Sequence, residues 1–308
     1  MNVTVIGSPK CNLHDMGADH PEQPSRLYQI NDQIIASGLE YVVHFADATS
    51  ASKQDLLLAH DIDFIEKVFS SSPVENDERV WIDDDTIMMN KSLDAALSAA
   101  GAAIMAVDTV MGKQSKSAFC ATRPPGHHAS KGASAGFCIF NNIAIAAKYA
   151  LEHYHLARVA IIDFDVHHGD GTQNIIEDDE RIMFCSSFQH PFYPFSGDEP
   201  TRKGILNIPV PAGTKGSEWR ELVSPWFQQI DEFAPELILI SAGFDAHAEE
   251  DMGYLRLVEN DYVWITQELK ALANKHCEGK VVSILEGGYA LSALARSVVA
   301  HLKTLAME

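Results

Sequence analysis

The feature of this chain that most constrains its fold is the alternation of short apolar runs with stretches of helical period. The runs are rich in Val and Ile and predict strands at 3–7, 119–122, 159–165, 182–187, 205–210, 237–244 and 281–285. Helical patterns lie between them, at 93–110, 142–152, 219–233, 261–275 and 291–305. Continuous apolar strands separated by helices are typical of a mostly parallel sheet covered by helices on both faces. Without any linker or repeat, residues 1–308 are predicted to form one α/β domain.

Composition narrows the classes of partner. The net charge of −20 argues against a direct nucleic-acid partner and favours cationic ligands. The sequence shows no signal peptide and no apolar run approaching 18 residues, so we expect no membrane partner. The five cysteines form no CxxC pair, which favours a reducing cytoplasm. An oligomer is compatible with the sequence.

Polar clusters follow four of the predicted strands. They are RPPGHH (123–128), DFDVH (163–167), SAGFD (241–245) and EGGY (286–289). In open α/β sheets the functional groups gather at the carboxyl ends of the strands. Four clusters at four such ends therefore predict one site at a single edge of the sheet.

The segment DFDVHHGDGT (163–172) predicts a metal site. In an extended chain alternate residues share a face, so Asp163, Asp165 and His167 are predicted to point the same way. Carboxylates and an imidazole side by side need a cation, and Asp245 offers a further oxygen. Asp165, His167 and Asp245 leave one position open, as in a catalytic site for Zn²⁺, with Fe²⁺ or Mn²⁺ as alternatives. Capping or turn formation explains an isolated D-x-D but not this whole pattern.

The tandem pair His127–His128 follows a loop defined by two prolines and a glycine. Adjacent side chains diverge, so the pair suits a general base and a general acid better than two ligands of one metal. Each histidine needs a carboxylate on its far nitrogen, and Asp163 and Asp170 are the spare acids nearby in sequence. Which histidine is the base and which the acid stays open at this point.

These motifs resemble those of the zinc-dependent histone deacetylases. The resemblance rests on RPPGHHA (123–129), GFCIFNN (136–142), DFDVHHGDGTQ (163–173), SAGFDA (241–246) and LEGGY (285–289), and it begins at His20-Pro-Glu-x-Pro-x-Arg26. The LEGGY and AGFDA forms are similar to the class II branch and its bacterial amidohydrolase and acetylpolyamine amidohydrolase relatives. The resemblance implies the arginase/deacetylase fold.

The resemblance also implies roles for individual residues. Asp165, His167 and Asp245 match zinc ligands, and His127 and His128 match catalytic histidines paired with Asp163 and Asp170. Further matches are Tyr289 to a tyrosine that binds the substrate carbonyl, Gly136, Phe137 and Tyr193 to an acyl-lysine tunnel, and Arg26 to an internal acetate pocket. The backbone carbonyls of Asp163, Asp165, His167 and Ser187, with the Ser186 hydroxyl, resemble a site for a structural K⁺ ion.

Two places depart from the family pattern. Many class II members carry Gly-Asp-Pro after AGFDA, where this chain reads His247-Ala-Glu249-Glu250-Asp251-Met252-Gly253, and Phe188 stands where histidine is common. Both positions are predicted to lie towards the mouth of the site, where they bear on substrate preference. The acidic stretch 83–85 matches the region of a rim aspartate, with a solvated loop as the alternative.

The expected activity is metal-dependent hydrolysis of an N-acetyl amide, releasing acetate and a free amine. Acetyl-lysine in a protein or peptide is the first expected substrate, and an acetylated polyamine is the alternative. A binuclear manganese ureohydrolase of the arginase type is a remote alternative, because the RPPGHH loop and Tyr289 are foreign to it. A non-catalytic acyl-lysine binding module is equally remote, because such modules typically lose a ligand, a histidine or the tyrosine.

Overall fold

The computed structural model of the chain describes residues 2–75 and 78–307. In these residues the centre of the molecule is an eight-stranded sheet in which all neighbouring strands are parallel. The strands in chain order are β1 (Val3–Gly7), β2 (His44–Asp47), β3 (Val80–Trp81), β4 (Ile87–Met88), β5 (Ser117–Ala121), β6 (Val159–Asp163), β7 (Ile182–Gln189), β8 (Ile205–Val210), β9 (Leu237–Ala242) and β10 (Val281–Leu285). Their order across the large sheet is β2-β1-β5-β10-β9-β6-β7-β8, and β3 and β4 form a separate antiparallel hairpin.

Helices cover both faces of this sheet. They are α1 (Ser25–Ala36), α2 (Lys53–Leu56), α3 (Ile62–Ser71), α4 (Ser92–Met111), α5 (Asn142–His153), α6 (Asp170–Ile176), α7 (Gly216–Val223), α8 (Pro225–Phe233), α9 (Glu259–His276) and α10 (Leu291–Ala306). Short 3-10 helices lie at Pro9–Leu13 and Leu39–Tyr41. Alternate residues of the strands point into two apolar cores, one packed by α1 and α7 to α10 and the other by α3 to α6. This confirms the predicted α/β domain with a parallel sheet.

Helix α4 is long and apolar enough to cross a membrane by length and composition alone. In this fold it is a core helix, since 67% of its most apolar 18-residue window is buried inside the protein. Its alanine-rich surface permits close packing, and a Cβ on Gly101 would lie 1.8 Å from the carbonyl oxygen of Thr49. The expectation of no membrane partner stays a prediction.

Several predicted boundaries are wrong for identifiable reasons. The strand predicted at 159–165 ends at Asp163, where the side-chain oxygen accepts a hydrogen bond from the Asp165 N–H at 3.1 Å and turns the chain. The strand predicted at 237–244 ends at Ala242. The helix predicted at 219–233 is two helices, because Pro225 cannot continue α7 and instead starts α8.

The sheet order determines where the site forms. Strands β5, β10, β9 and β6 are consecutive neighbours at the centre of the sheet, and all four run in the same direction. The four polar clusters follow these four strands. Their side chains therefore meet at one edge, as the sequence predicted.

Candidate active site

The buried carboxylates of Asp165 and Asp245 and the ring of His167 form a three-residue group beyond the ends of β6 and β9. One potential ligand atom from each residue lies within 4.8 Å of the others. Asp165 and His167 lie in the bend after β6 rather than in an extended strand, so the alternation argument is wrong for this backbone. Asp163 takes no part in the group and bonds to a histidine instead. The predicted ligand set is thus brought together by a bend.

Backbone N–H donors hold both carboxylates of the group in place. Oδ1 of Asp245 accepts from the Val166 N–H at 2.8 Å, and Oδ2 of Asp165 accepts from the Gly287 N–H at 2.9 Å. Oδ2 of Asp245 is buried without a hydrogen-bond partner. A Cβ on Gly287 would lie 1.9 Å from that oxygen, so only glycine lets the backbone after β10 pass here. A buried carboxylate oxygen without a donor suits a cation.

The ionisation of the group follows from burial and mutual attraction. Burial raises the pKa of Asp245 to about 6, and the nearby Asp165 adds to the rise. Burial alone would lower the pKa of His167, but the Asp165 and Asp245 carboxylates outweigh it and raise that pKa to about 9. The His167 Nδ1 lies 3.0 Å from Oδ1 of Asp165 and 3.4 Å from Oδ2 of Asp245. Two carboxylates are thus held beside an imidazole nitrogen that faces them.

The tandem histidines each bond to the carboxylate predicted for them. Nδ1 of His127 lies 3.0 Å from Oδ2 of Asp163, and Nδ1 of His128 lies 2.7 Å from Oδ1 of Asp170. Asp163 is the last residue of β6 and Asp170 the first of α6, so two different elements orient the two rings. In both pairs Nδ1 faces a carboxylate, which leaves Nε2 free of that bond.

The two histidines differ in their affinity for a proton. Burial and, after it, the neighbouring His127 lower the pKa of His128 to about 4. Burial also acts to lower the pKa of His127, but the carboxylates of Asp165 and Asp163 outweigh it and raise that pKa well above its usual value. Proton binding is therefore disfavoured on His128 and favoured on His127.

A cavity of about 290 Å³ leads to this group of side chains. Gly136, Phe137 and Tyr193, which the resemblance matches to an acyl-lysine tunnel, line it together with Tyr289, His127, His128 and His167. The Phe137 ring lies edge-on to Tyr289 with centroids 5.9 Å apart, and Tyr193 lies edge-on to His128 at 5.2 Å. Burial raises the pKa of Tyr289 well above its usual value, so its hydroxyl stays a hydrogen-bond donor.

Gly136 is required by its surroundings. It has a positive φ of 56°, and a Cβ there would lie 2.3 Å from Cδ2 of His128. Its N–H donates to Oδ1 of Asp85 at 2.9 Å, which connects the tunnel wall to the turn of the β3–β4 hairpin. Of the acidic stretch 83–85, Asp85 lines the cavity, whereas Asp84 is exposed.

Arg26 lies behind the tyrosine, outside the set of residues that line the cavity. Its guanidinium carbon is 4.9 Å from the Tyr289 ring centre, and its Nε donates to the Gly288 carbonyl at 2.7 Å. Nη2 donates to the Glu286 carbonyl at 2.5 Å, and Nη1 pairs with the buried Glu22 at 3.2 Å. Its contacts tie it to the EGGY segment, and the acetate-pocket role stays a prediction.

The residues matched to a K⁺ site lie at the end of β6, in the bend that follows it and on the neighbouring strand β7. Asp163 of β6 pairs in register with Ser186 of β7. The Ser186 hydroxyl oxygen is buried without a hydrogen-bond partner, whereas the Ser187 hydroxyl accepts from Nε1 of Trp219 at 3.1 Å. The ion itself stays a prediction.

The two departures from the family pattern separate in space. Asp251 and Met252 line the cavity, as predicted for residues near its mouth. Phe188 does not, because it is fully buried against His168 with ring centroids 4.6 Å apart. The expectation that Phe188 lies towards the mouth is wrong, and its side chain belongs to the packing under the site.

Sequence reasoning missed residues that support the site. Glu22 is fully buried between Arg123 and Arg26. Its carboxylate accepts hydrogen bonds from Nε and Nη2 of Arg123, the second at 2.6 Å. Its place in the H-P-E-x-P-x-R motif could have indicated Glu22. An acid is needed there because it neutralises two buried arginines. The other missed residues are Glu250, Glu286 and Phe192. The Phe192 ring stacks on His167.

Comparison with known proteins agrees with this geometry. Residues 20–305 match the family model of the histone deacetylase domain. A probable deacetylase from Archaeoglobus fulgidus is 37% identical over 288 residues, which cover 90% of this chain and 79% of that protein. Polyamine deacetylase HDAC10 of Mus musculus is 33% identical, covering 96% of this chain and 45% of that protein.

A solved structure agrees as well. The crystal structure of the HDA15 HD domain superposes with a TM-score of 0.92 at 31% identity, covering 99% of this chain and 90% of that one. The chain therefore belongs to the histone deacetylase family. The fold implied by the motifs is confirmed, and the family supports amide deacetylation as the reaction.

Proposed function

We propose that this protein is a zinc-dependent deacetylase acting on a linear N-acetyl amide. The observation that carries the proposal is the buried Asp165–His167–Asp245 group at the end of the aromatic cavity, with the partnerless Asp245 oxygen inside it. Two carboxylates and one imidazole fit Zn²⁺, with Fe²⁺ as the alternative. When bound, the metal supplies Lewis acidity that polarises the amide carbonyl and activates water.

The protein's own side chains divide the proton transfers. His128 lines the cavity, burial disfavours its protonated form and Asp170 orients its ring, so its Nε2 accepts the proton of the attacking water. The same imidazole then returns that proton to the leaving amine nitrogen. Asp163 and Asp165 favour the protonated form of His127, whose positive charge would stabilise the negative charge that develops on the carbonyl oxygen. The Tyr289 hydroxyl donates a hydrogen bond to the same oxygen.

Acetyl-lysine in a protein or peptide is the proposed substrate. The cavity is walled by the aromatic rings of Phe137 and Tyr193, which suit the methylene chain of lysine at about 0.8 kcal/mol for each buried CH₂. Gly136 allows that chain to pass close to the backbone. The family name of the matching domain model agrees with this class of substrate.

An acetylated polyamine is the second candidate, favoured by one specific observation. Asp85 and Asp251 place two carboxylates on the lining of the same cavity, where they would attract a second ammonium group. One relative is named as a polyamine deacetylase. The chemistry is the same in both cases, and only the group beyond the amide differs.

Two further proposals complete the assignment. A structural K⁺ ion at the Asp163, Asp165, His167, Ser186 and Ser187 segment is supported by the buried Ser186 hydroxyl without a partner. A cytoplasmic location is supported by five buried cysteines, all of them free thiols.

Acetate release by chelator-stripped protein, before and after adding Zn²⁺, tests the proposal. The substrates are an acetyl-lysine peptide and N-acetylputrescine, assayed in parallel. Zinc-restored release from the peptide supports the first candidate, and release from N-acetylputrescine alone supports the second. Silence on both substrates with zinc bound would reject the deacetylase.

A further inference from the structure

Glu286 is a fully buried carboxylate that neither binds in the candidate metal group nor lines the cavity. It follows β10 directly and precedes Tyr289 by three residues. Its Oε2 accepts from two consecutive peptide N–H groups, those of Gly126 at 2.7 Å and His127 at 3.1 Å. Its Oε1 accepts from the Ser241 hydroxyl at 3.1 Å. Every one of these contacts joins β10 to another of the site-bearing segments.

The bonds to Gly126 and His127 fix the loop that carries the tandem histidines. At the next peptide, the His127 carbonyl accepts from the Thr172 N–H at 2.9 Å. Gly126 lies tightly against α5, since a Cβ there would lie 2.5 Å from the Asn142 nitrogen. The backbone of His127 is therefore held from both sides, and Glu286 supplies the hold on its N–H.

The side chain of His127 needs that accuracy. Its Nδ1 lies 3.0 Å from Asp163 while its Nε2 lies 3.8 Å from Oδ2 of Asp165, so one ring is placed between two carboxylates. A rotation of the 126–127 peptide would move the ring relative to both carboxylates. Displacements of about 1 Å in a catalytic group can cost about 100-fold in rate.

We propose that Glu286 is the positioning residue of the tandem-histidine loop, acting as a hydrogen-bond acceptor for the Gly126 and His127 N–H groups. It sets the rate of turnover and leaves substrate binding unchanged, because it touches neither the cavity nor the substrate path. This inference rests on the proposed function, in which His127 takes part in the reaction.

Three variants test it. Glu286→Met keeps most of the volume but has no acceptor, and Glu286→Gln keeps an acceptor oxygen for both N–H groups while its amide donates to Ser241. Ser241→Ala is the matched control, because it removes the bond at the other oxygen and leaves the loop bonds intact. We measure kcat and KM for zinc-dependent acetate release, zinc content and the thermal unfolding midpoint of each intact protein.

The expected result is a fall in kcat of about 100-fold for Glu286→Met with KM and zinc content unchanged. Glu286→Gln and Ser241→Ala keep kcat close to the wild-type value. A methionine variant as active as the wild type would overturn the proposal, as would a parallel loss in the glutamine variant, which would mean that the charge of Glu286 matters and not its acceptor.

Changes in KM or zinc content, and loss of folding in Glu286→Met, also have defined meanings for the proposal. A change in KM or in zinc content that accounts for the whole loss contradicts positioning. If Glu286→Met does not fold, Glu286→Gln decides alone, with retained turnover supporting the proposal and lost turnover overturning it. Inactive wild-type protein on every acetylated substrate would instead reject the proposed function, so the two failures are distinguishable.

Discussion

The backbone N–H of Tyr289 donates a 2.8 Å hydrogen bond to Oε2 of Glu250, from the loop that follows β9. The same carboxylate accepts from the Ala290 N–H at 3.1 and 3.0 Å, at the N-terminus of α10. An anion at this position is stabilised by the unpaired N–H groups and the dipole of the helix. The family pattern Gly-Asp-Pro is absent from this loop, and Glu250 gives Tyr289 a firm attachment.

Replacing Tyr289 by Phe should remove the hydroxyl and little else. Glu250 holds the backbone, while Arg26 and Phe137 pack against the ring, so the phenylalanine ring will occupy the same place. We expect kcat to fall by about 100- to 1,000-fold, which corresponds to about 2.7–4 kcal/mol, if the hydroxyl is an oxyanion donor. Steady-state kinetics measure the loss, with the unfolding midpoint and zinc content as controls. Turnover equal to that of the wild type would remove Tyr289 from the reaction.

Replacing Asp245 by Ala should abolish stoichiometric metal binding. It removes one of the three clustered donors and the buried oxygen that has no other partner. Metal content after equilibration with Zn²⁺ should fall from near one ion per chain to a trace, with loss of activity. Asp251→Ala is the control, because that acid lines the cavity outside the donor group and its loss should leave metal content unchanged. Full zinc content in Asp245→Ala would place the metal elsewhere.

Replacing Asp251 by Asn should alter substrate preference. Asp251 is an exposed acid on the cavity lining, so its attraction for a second ammonium group is worth about 0.2–1 kcal/mol. We expect kcat/KM for N-acetylputrescine to fall by about 1.4- to fivefold, and more at low salt, with little change for an uncharged acetyl-lysine peptide. Asp178→Asn removes the same charge from an exposed site outside the cavity lining and serves as the control. An equal effect of both variants would mean that only net charge matters.

The stability of the fold should depend on pH through the buried His60. Its Nδ1 donates to the Ser130 carbonyl at 2.8 Å and its Nε2 accepts from the Asn141 N–H at 2.9 Å, which only a neutral ring can do. Burial lowers the pKa of His60 from 6.5 to about 4. The unfolded chain therefore binds a proton that the folded chain does not as the pH falls from 6.5 to about 4, and stability is lost in that window, by about 3 kcal/mol at most.

His60→Gln isolates this contribution. Glutamine can donate to Ser130 and accept from Asn141 without titrating, so it replaces the two bonds by a pair that does not depend on pH. Urea unfolding at a series of pH values should show the wild type losing more stability than the variant between pH 6.5 and 4. Parallel curves for the two proteins would show that His60 is not buried in its neutral form.

The parts of the fold that the sequence predicted are those with strong apolar periodicity. The six inner strands β1, β5, β10, β9, β6 and β7 and helices such as α4 and α10 bury continuous apolar faces, which leave a clear pattern. Strand β2 was missed because it is an edge strand whose residues are mostly exposed, and β3 and β4 because each spans two residues. Helix α1 was also missed, although Leu27, Ile30 and Ile34 have helical spacing and all face the core.

The candidate site divides in the same way. Its chemistry-bearing residues were predictable because they cluster in short motifs at strand ends, and the pairing of His127 with Asp163 and His128 with Asp170 is present in the structure. Glu250 and Glu286 were not singled out, because each acts on a segment far away in sequence, and Glu22 binds the distant Arg123 as well as Arg26 of its own motif. A contact such as that between Glu286 and Gly126 depends on which strands are neighbours, and no local pattern encodes the sheet order.

The adjacency of β5, β10, β9 and β6 has a consequence for how the protein matures. Neighbours in the sheet are far apart along the chain, since β5 ends at Ala121 and its partner β10 begins at Val281. Long-range parallel pairings of this kind form slowly, because the entropy cost of closing a large loop comes before any stabilising contact forms. A nascent chain lacks Tyr289 and Glu286 until its last strand is made, so neither the metal group's packing nor the histidine loop can be completed earlier. Metal binding should therefore coincide with the final folding step, and a bound ion would stabilise the whole domain against unfolding.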